Sequence, residues 1–231
     1  MHKVSEPEIL YFGTPVALIG SCNEDGSYNI APISSIFWLG WRCIIGISAF
    51  SKSTHNIIRN RSCTLNLPSE NEVSAVNRLA LTTGSNPVPA GKKLKGYRYE
   101  KFKFERAGLT PVLSETVTAP RIGECPVQME AVLQKIHPLA EDDERQNGKI
   151  LTMELRIQRV HLDNSIMMGG FENRVDPDKW KPLIMSFQKF YGLGSQLHSS
   201  RLASIPESLY HSPDIDKARI QFEPSASSTD A

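Results

Sequence analysis

The sequence predicts a mainly β protein with short helices, in which antiparallel strands form a meander or a barrel. Two observations predict this fold class. Four short β-prone runs separated by tight turns follow one another within residues 16–67, a spacing typical of all-β sheets rather than of βαβ units. Two longer runs, at 125–136 and 149–160, alternate apolar and polar residues, which is the two-residue period of a strand with one buried face.

The first hairpin is the most clearly marked element. Residues 16–20 are apolar, residues 23–26 form a turn that ends in Asp-Gly, and residues 28–32 supply the returning strand. Asp-Gly is a strong hairpin signal because both residues tolerate the positive φ angles of tight hairpin turns. Pro32 has no N–H to donate, so we expect it where regular pairing ends or at a sheet edge.

The other strands are predicted in order along the chain. An extended segment, a strand, a short amphipathic helix and a further strand are expected at residues 34–39, 43–48, 55–59 and 63–67. Strands 125–136 and 149–160 are joined by the charged turn 141–148. As an antiparallel pair, they are expected to close a barrel that the first four strands begin.

The rest of the chain is less regular. A helix is predicted for residues 70–81, and a second one, capped by Asp178, for residues 182–191. Residues 101–105 alternate Lys and Phe as a strand would. Residues 82–96 are rich in Gly, Pro, Ser and Asn and predict a long loop, which either lies over a ligand site or is mobile.

Composition and charge exclude several function classes. Lys and Arg number 26 against 25 Asp and Glu, and the densest basic cluster, at 92–95, is interpreted as a solvated loop. Nucleic acid is therefore not expected as a partner. No signal peptide and no bilayer-spanning apolar run is found, so no membrane association is expected. The four cysteines form no CxxC pair. We expect a reduced, cytoplasmic protein without a structural metal.

A hydroxyl-rich segment precedes the helix predicted at 55–59. Ser51, Lys52, Ser53 and Thr54 place three hydroxyls and an ammonium group at a helix start, where unpaired N–H groups and the helix dipole favour an anion. Two interpretations stay open. The segment is either a phosphate cradle or an ordinary helix start capped by Ser53, with Lys52 in solvent.

The motifs of the common self-sufficient catalytic sites are missing. The sequence has no G-x-G-x-x-G, no P-loop, no H-E-x-x-H and no G-x-S-x-G. An enzyme with this inventory is expected to take its chemistry from a cofactor.

The order and spacing of these pieces resemble the flavin reductase-like, FMN-binding split-barrel family, which includes flavoredoxin-type proteins. The segments that carry the resemblance are residues 12–26, 29–35, 51–56 and 63–68. The resemblance implies a split β-barrel of the FMN-binding type, a Greek-key-like antiparallel barrel. It also implies that residues 1–194 form the FMN-binding domain. Residues 195–231 are then a polar C-terminal extension, expected to be partly disordered.

The resemblance also implies which residues bind FMN. Ser51, Lys52, Ser53 and Thr54 match the segment that receives the FMN phosphate. The strand along the isoalloxazine edge is matched by residues with small or apolar side chains, namely Asn29, Ala31, Pro32, Ile33, Ser34 and Ser35. No residue is assigned a catalytic role, because the flavin N5 accepts a hydride directly.

The implied function is a homodimeric flavin reductase that transfers a hydride from NADH or NADPH to FMN. Two alternatives stay open: a flavoredoxin-like electron-transfer protein that does not oxidise nicotinamide directly, and a non-catalytic FMN-binding scaffold or sensor. Phe37, Trp38 and Trp41 either stack on the flavin or nicotinamide or belong to core and dimer contacts.

Overall fold

The computed structural model describes residues 1–220 of the chain. The strands, in chain order, are β1 (Thr14–Pro15), β2 (Ala17–Cys22), β3 (Tyr28–Ile33), β4 (Ile36–Leu39), β5 (Arg42–Ser48), β6 (Ser62–Leu67), β7 (Thr82–Thr83), β8 (Arg98–Tyr99), β9 (Pro111–Val112), β10 (Arg121–Ile122), β11 (Val127–Pro138), β12 (Ile150–Leu162), β13 (Ile184–Ser186) and β14 (Lys189–Tyr191). The α-helices are α1 (Lys52–Asn60), α2 (Val73–Leu79), α3 (Ala90–Leu94), α4 (Lys103–Ala107) and α5 (Pro213–Ile220).

One antiparallel sheet of seven strands forms the body of the molecule, in the order β3-β2-β6-β11-β12-β5-β4. Its two edge strands, β3 and β4, are consecutive in the chain and are separated only by Ser34 and Ser35. The sheet must therefore curl until its edges approach each other, and Ser34 and Ser35 form the seam where β3 leads into β4. Gly46 N of β5 donates a hydrogen bond to Ser35 O at 2.8 Å, which extends the β4–β5 pairing up to this seam. This curled sheet is the predicted mainly β barrel, and the fold-class prediction is confirmed.

Two apolar cores lie on the two faces of the sheet. The barrel interior is filled by residues from the strands of the wall, among them Ile19, Ile45 and Leu155, and Ile33 of β3 packs against them. The outer face of β2 and β3 is covered by α2 and α4, with Leu18 and Ile30 buried there. Strand β2 is therefore buried on both faces, which explains why residues 16–20 read as a continuous apolar run instead of an alternating one.

The long strands match their predicted pattern. Met129 and Leu133 of β11 and Met153 and Leu155 of β12 point into the barrel core. The β11–β12 register shifts near Ala131 and again near Leu133. Such bulges increase strand bending, which suits a wall that has to curl.

The predicted helix at 182–191 is wrong. Strands β13 and β14 form a hairpin there, and β13 pairs with β1. The tip residues Phe187 and Gln188 have positive φ angles of 43° and 65°, as the tightest hairpin turns require. Pairing with β13 supplies backbone partners for β1, which a local helix at 182–191 would not, so tertiary context overrides the helical preference of Leu, Met, Gln and Lys.

The strand-like pattern at 101–105 is also misleading, because α4 occupies most of it. Phe104 and Ala107, three residues apart, are both buried on one face of the helix. Gly108 ends the helix with a φ of 63°, the left-handed conformation that glycine adopts without steric cost. A five-residue window is too short to distinguish the two periods.

The segment that follows residue 194 contacts the barrel through α5. Arg42 of β5 donates hydrogen bonds to both carboxylate oxygens of Asp214, at 2.7 and 3.2 Å, and pairs with Glu154 of β12 at 2.6 Å. Residues 221–231 of the extension that is expected to be partly disordered lie outside the described residues. Within residues 1–220, no helix has the length and apolar character needed to cross a membrane.

Candidate functional site

A cavity of about 710 Å³ lies beside the barrel seam, between the start of α1, the ends of β3 and β5, and residues 79–97. Most of the site residues predicted from the sequence line it: Ala31, Pro32, Ile33, Ser34, Ser35, Ser51, Lys52 and Ser53. The folded chain thus brings the two predicted segments, 31–35 and 51–53, to one cavity. The cavity has the size of small-molecule sites in proteins.

The start of α1 differs from the capped helix considered from the sequence. The N-cap is Ser51, not Ser53, and its Oγ accepts a hydrogen bond from Thr54 N at 3.1 Å. The helix therefore begins at Lys52, earlier than predicted. The backbone N–H groups of Lys52 and Ser53 belong to the first turn, where a helix offers no acceptor of its own, and both residues face the cavity.

Asn29 and Thr54 lie behind the cavity wall, almost completely buried. Asn29 Nδ2 donates to Ser53 Oγ at 3.1 Å and to Ser21 Oγ at 3.2 Å. Thr54 Oγ1 donates to Ser48 O at 2.7 Å. In the structure, Asn29 positions a hydroxyl that lines the cavity, and Thr54 ties the helix start to the end of β5.

Lys52 is paired with Glu24, which also accepts a hydrogen bond from Arg59 at 2.6 Å. The hydrogen bond with Lys52 is the main cause that lowers the pKa of Glu24. The Glu24 side chain is 58% exposed, so the pair is of the weak, solvent-screened kind. Lys52 can therefore exchange this partner for an anion inside the cavity.

Four further lysines, which were not predicted as site residues from the sequence, also line the cavity: Lys92, Lys95, Lys103 and Lys149. The interpretation of residues 92–95 as a solvated loop is wrong for Lys92, which is half-buried, donates to Thr83 Oγ1 at 3.4 Å and lies over the Tyr97 ring. Within the described chain, no Asp or Glu lines the cavity. Its walls therefore carry an excess of positive charge, which favours an anionic ligand.

Lys103 is the most buried of these cations, with 3% of its surface exposed. Its Nζ donates to Ile30 O at 3.0 Å. Burial is the main cause that lowers the pKa of Lys103, to about 7, and the like charge of Lys92 contributes. Buried cations are rare unless they are paired. The neighbouring Phe104 is the sequence signal that could have indicated burial of Lys103, because both residues belong to the buried part of α4.

Gly84 allows the loop to approach the helix start closely. A Cβ atom at this position would lie 2.5 Å from Asn29 Oδ1 and 3.1 Å from Lys52 Cγ. Only glycine fits without moving these side chains. The segment 82–96, predicted as a long loop, contains β7 and α3 and forms part of the cavity wall.

The N-terminal segment supplies one more wall residue, Tyr11. Its hydroxyl lies 3.2 Å from Ser35 Oγ, a hydrogen-bonding distance. Phe187 N donates to Tyr11 O at 2.9 Å, and the neighbouring Phe12 ring packs edge-on against Phe187. The hairpin β13–β14 therefore holds Tyr11 against the barrel seam.

The aromatic residues 37, 38 and 41 do not line this cavity. Trp38 and Trp41 pack against the barrel core, whereas Phe37 is 51% exposed on the edge strand β4. Of the two interpretations left open, the placement of Trp38 and Trp41 favours the core role over stacking on a ligand.

A second polar group, here called the Glu130 cluster, comprises Glu130, His161, Arg121 and the loop 114–116. Glu130 is fully buried. It accepts hydrogen bonds from His161 Nε2 at 2.8 Å and from the backbone N–H groups of residues 115 and 116 at 2.9 and 2.6 Å. Burial raises its pKa, but these hydrogen bonds outweigh burial and hold the pKa at about 2.

The residues of the cavity fit FMN. The hydroxyls and first-turn N–H groups at Ser51–Ser53, with the surrounding lysines, match a phosphate group. Small residues and backbone groups at 31–35 let a flat, polar-edged ring approach the strand closely. Within residues 1–220, no group of three or more His, Cys, Asp or Glu side chains is placed to hold a metal ion.

Comparisons with known proteins agree with this architecture. A family model described as "Flavin reductase like domain" matches residues 9–193. The chain is 37% identical over 195 residues to the "Uncharacterized protein YdfE" of Bacillus subtilis (strain 168), which covers 84% of this chain and 91% of that protein.

Solved structures show the same fold. Flavoredoxin of Desulfovibrio vulgaris (Miyazaki F) superposes with a TM-score of 0.70 at 22% identity, covering 89% of this chain and 100% of its own. Nitrilotriacetate monooxygenase component B from Bacillus cereus gives a TM-score of 0.67 at 22% identity, covering 86% and 100% of the two chains. The split-barrel architecture and the family match lead to one conclusion: the chain belongs to the family of proteins with a flavin reductase like domain.

Proposed function

We propose that the protein binds FMN and transfers a hydride from NADH or NADPH to it. The observation that carries the proposal is the cavity at the barrel seam, lined by lysines and hydroxyl groups. Within residues 1–220, no carboxylate group lines this cavity. A ligand with a phosphate group and a flat ring matches both the charge and the shape of this space.

The helix start would hold the phosphate. Ser51 and Ser53 offer hydroxyls, Lys52 offers an ammonium group, and the first turn of α1 offers N–H groups to an anion. Asn29 keeps Ser53 in place by its hydrogen bond. Charge-assisted hydrogen bonds of this kind are the strongest that a neutral-pH site provides.

The seam residues would orient the ring. Ser34 and Ser35 present small polar groups to the cavity, and Tyr11 fixes the Ser35 hydroxyl. When bound, FMN supplies the hydride-accepting N5 atom, so the protein needs no acid or base of its own. The work of the chain is to bind, to orient and to exclude water from one face of the ring.

A homodimer is part of the proposal. The edge strand β4 exposes Phe37 and Leu39, at 51% and 68% of their surface, which supports a contact with a second copy of the chain. Sedimentation of the purified protein at several concentrations tests this assembly, and a concentration-independent monomer would contradict it. All four cysteines are free thiols, which supports a reducing, cytoplasmic location.

An absorbance titration tests the function. FMN added to the protein is expected to show the spectrum of a bound oxidised flavin, and NADH or NADPH is expected to bleach it under anaerobic conditions. Bound flavin that neither nicotinamide bleaches would instead support an electron carrier or a non-catalytic FMN-binding protein. Absence of flavin binding would overturn the proposal.

A further inference from the structure

A second space of about 560 Å³ adjoins the cavity at its phosphate end. The two spaces share Phe50, Lys52, Pro89 and Gly91 as lining residues. This second space, here called the outer lobe, shares no residue with the segment 31–35 that would face the flavin ring. A ligand that fills both spaces therefore has to pass Lys52.

The walls of the outer lobe suit a flat, mostly apolar group. Phe50, Pro87 and Pro89 offer apolar surface, and His55 adds a second ring. Within residues 1–220, no carboxylate lines the lobe. The Oγ atom of Ser85, on its wall, is enclosed and has no hydrogen-bond partner among the described residues, so one polar group there is left for a ligand or a water.

We propose that the outer lobe takes the adenosine monophosphate half of FAD, so that FAD is a preferred flavin of this protein. The inference rests on the proposed flavin binding. A flavin whose phosphate sits at Ser51–Ser53 extends a second phosphate past Lys52, the one cation among the four residues common to both spaces. The adenine then reaches the Phe50 and His55 rings, on which bases stack without sequence-specific hydrogen bonds.

The adenosine half of a nicotinamide dinucleotide has the same chemistry. Its nicotinamide, however, has to reach the flavin ring near Ser34 and Ser35, whereas the outer lobe opens at the opposite, phosphate end of the site. The position of the lobe therefore favours FAD over the reductant as the source of the adenosine.

Flavin titrations of the full chain test the inference. Dissociation constants of FMN and FAD are measured for the native protein, for His55→Ala, which removes one ring, and for Ala90→Trp, which fills the lobe. Both positions are exposed and line only the outer lobe. FAD is expected to bind about fivefold or more tightly than FMN to the native protein, and both variants are expected to abolish this preference. Phe171→Ala, which removes an exposed ring outside both spaces, serves as the matched control.

Each other outcome overturns the inference in a recognisable way. FMN binding without a preference for FAD in the native protein rejects the outer lobe and leaves the proposed function standing. If both variants weaken binding of NADH but not of FAD, the adenosine half belongs to the reductant. If no flavin binds to a native protein with an intact thermal transition, the proposed function itself fails.

Discussion

Two regions of the molecule enclose charged side chains, the cavity at the barrel seam and the Glu130 cluster. In the cluster, a buried carboxylate meets a histidine, an arginine and two backbone N–H groups, all from the protein itself. In the cavity, the positive charge of Lys92 repels that of Lys103. A buried charge whose partners are all present is accommodated by the fold, whereas cations gathered in a cavity whose described lining holds no carboxylate cost stability until a ligand supplies an anion. The difference separates a structural polar cluster from a binding site.

The largest expected effect is a loss of stability when the Glu130 cluster is mutated. Glu130→Gln is expected to lower the free energy of unfolding at pH 7 by about 3 kcal/mol, because it removes a carboxylate whose pKa is about 2 instead of the ordinary 4.5. FMN affinity of the folded variant is expected to stay unchanged. Urea denaturation and a flavin titration measure both quantities.

The pH dependence follows from the same shift. The pKa of Glu130 in the folded protein, about 2, is below its ordinary value of 4.5, so its contribution is complete above pH 4.5 and is lost as pH falls from there towards 2. The stability difference between the native protein and Glu130→Gln should therefore shrink at pH 3. The exposed Glu141→Gln is the control, and equal losses in both variants would contradict a special role of Glu130.

The next effect concerns the cavity. Replacing Lys52 and Ser53 by alanine is expected to weaken FMN binding by about 1–3 kcal/mol, because charge-assisted hydrogen bonds to the phosphate are lost. Riboflavin, which has no phosphate, should lose much less. Isothermal titration measures both ligands. Lys93→Ala, an exposed lysine that lines neither space, is the control, and unchanged FMN affinity in a folded double variant would reject the phosphate site.

A smaller effect is expected from pH. The pKa of Lys103 is about 7 because of burial and of the like charge of Lys92, and a bound phosphate favours its charged form. Binding then takes up a proton above pH 7, so FMN affinity should fall as pH rises from 7 to 9, by at most about tenfold per pH unit. Lys103→Met should remove this slope. A slope of the same size in that variant would exclude Lys103 as its source.

The smallest effect is expected from Tyr11→Phe. The change removes the hydroxyl that bonds Ser35 Oγ and leaves the ring and the backbone bond to Phe187 in place. FMN affinity should change by less than about 1 kcal/mol, while the absorption maxima of the bound flavin should shift because Ser35 is released. Tyr191→Phe, an exposed residue outside the cavity, should shift neither.

Local pattern was enough to predict the barrel strands and one segment of the cavity wall, 51–53, whereas residues 31–35 were assigned to the site by the family resemblance. The strands at 28–32 and 43–48 and the segment 51–53 have periodicity, turn chemistry and hydroxyl content that act within a few residues. Element boundaries were less certain: α1 begins at Lys52 instead of residue 55, which moved the cap from Ser53 to Ser51.

The lysine wall could not be predicted, since it depends on distant parts of the chain. Lys103 reaches the cavity because α4 packs against β3, whose Ile30 carbonyl it contacts across 73 residues of sequence. In the sequence, Lys92 belongs to a basic run that was interpreted as solvated. Its burial depends on which side of α3 faces the cavity, and the local sequence does not determine that side. The hairpin β13–β14 was missed for the same reason, since its partner β1 lies near the other end of the chain.

The seam between β3 and β4 couples the ligand to the whole sheet. Ser34 and Ser35, which line the cavity, are also the residues that join the two sheet edges, and Gly46 N of β5 bonds Ser35 O at the end of the β4–β5 pairing. A ligand held by this link therefore stabilises the closed wall by mass action, by about 2.7 kcal/mol at a concentration of 100 Kd. The amide proton of Gly46 is the expected reporter of this coupling: its hydrogen exchange should slow when the cavity is filled, and its rate measures opening of the β4–β5 pairing beside the seam.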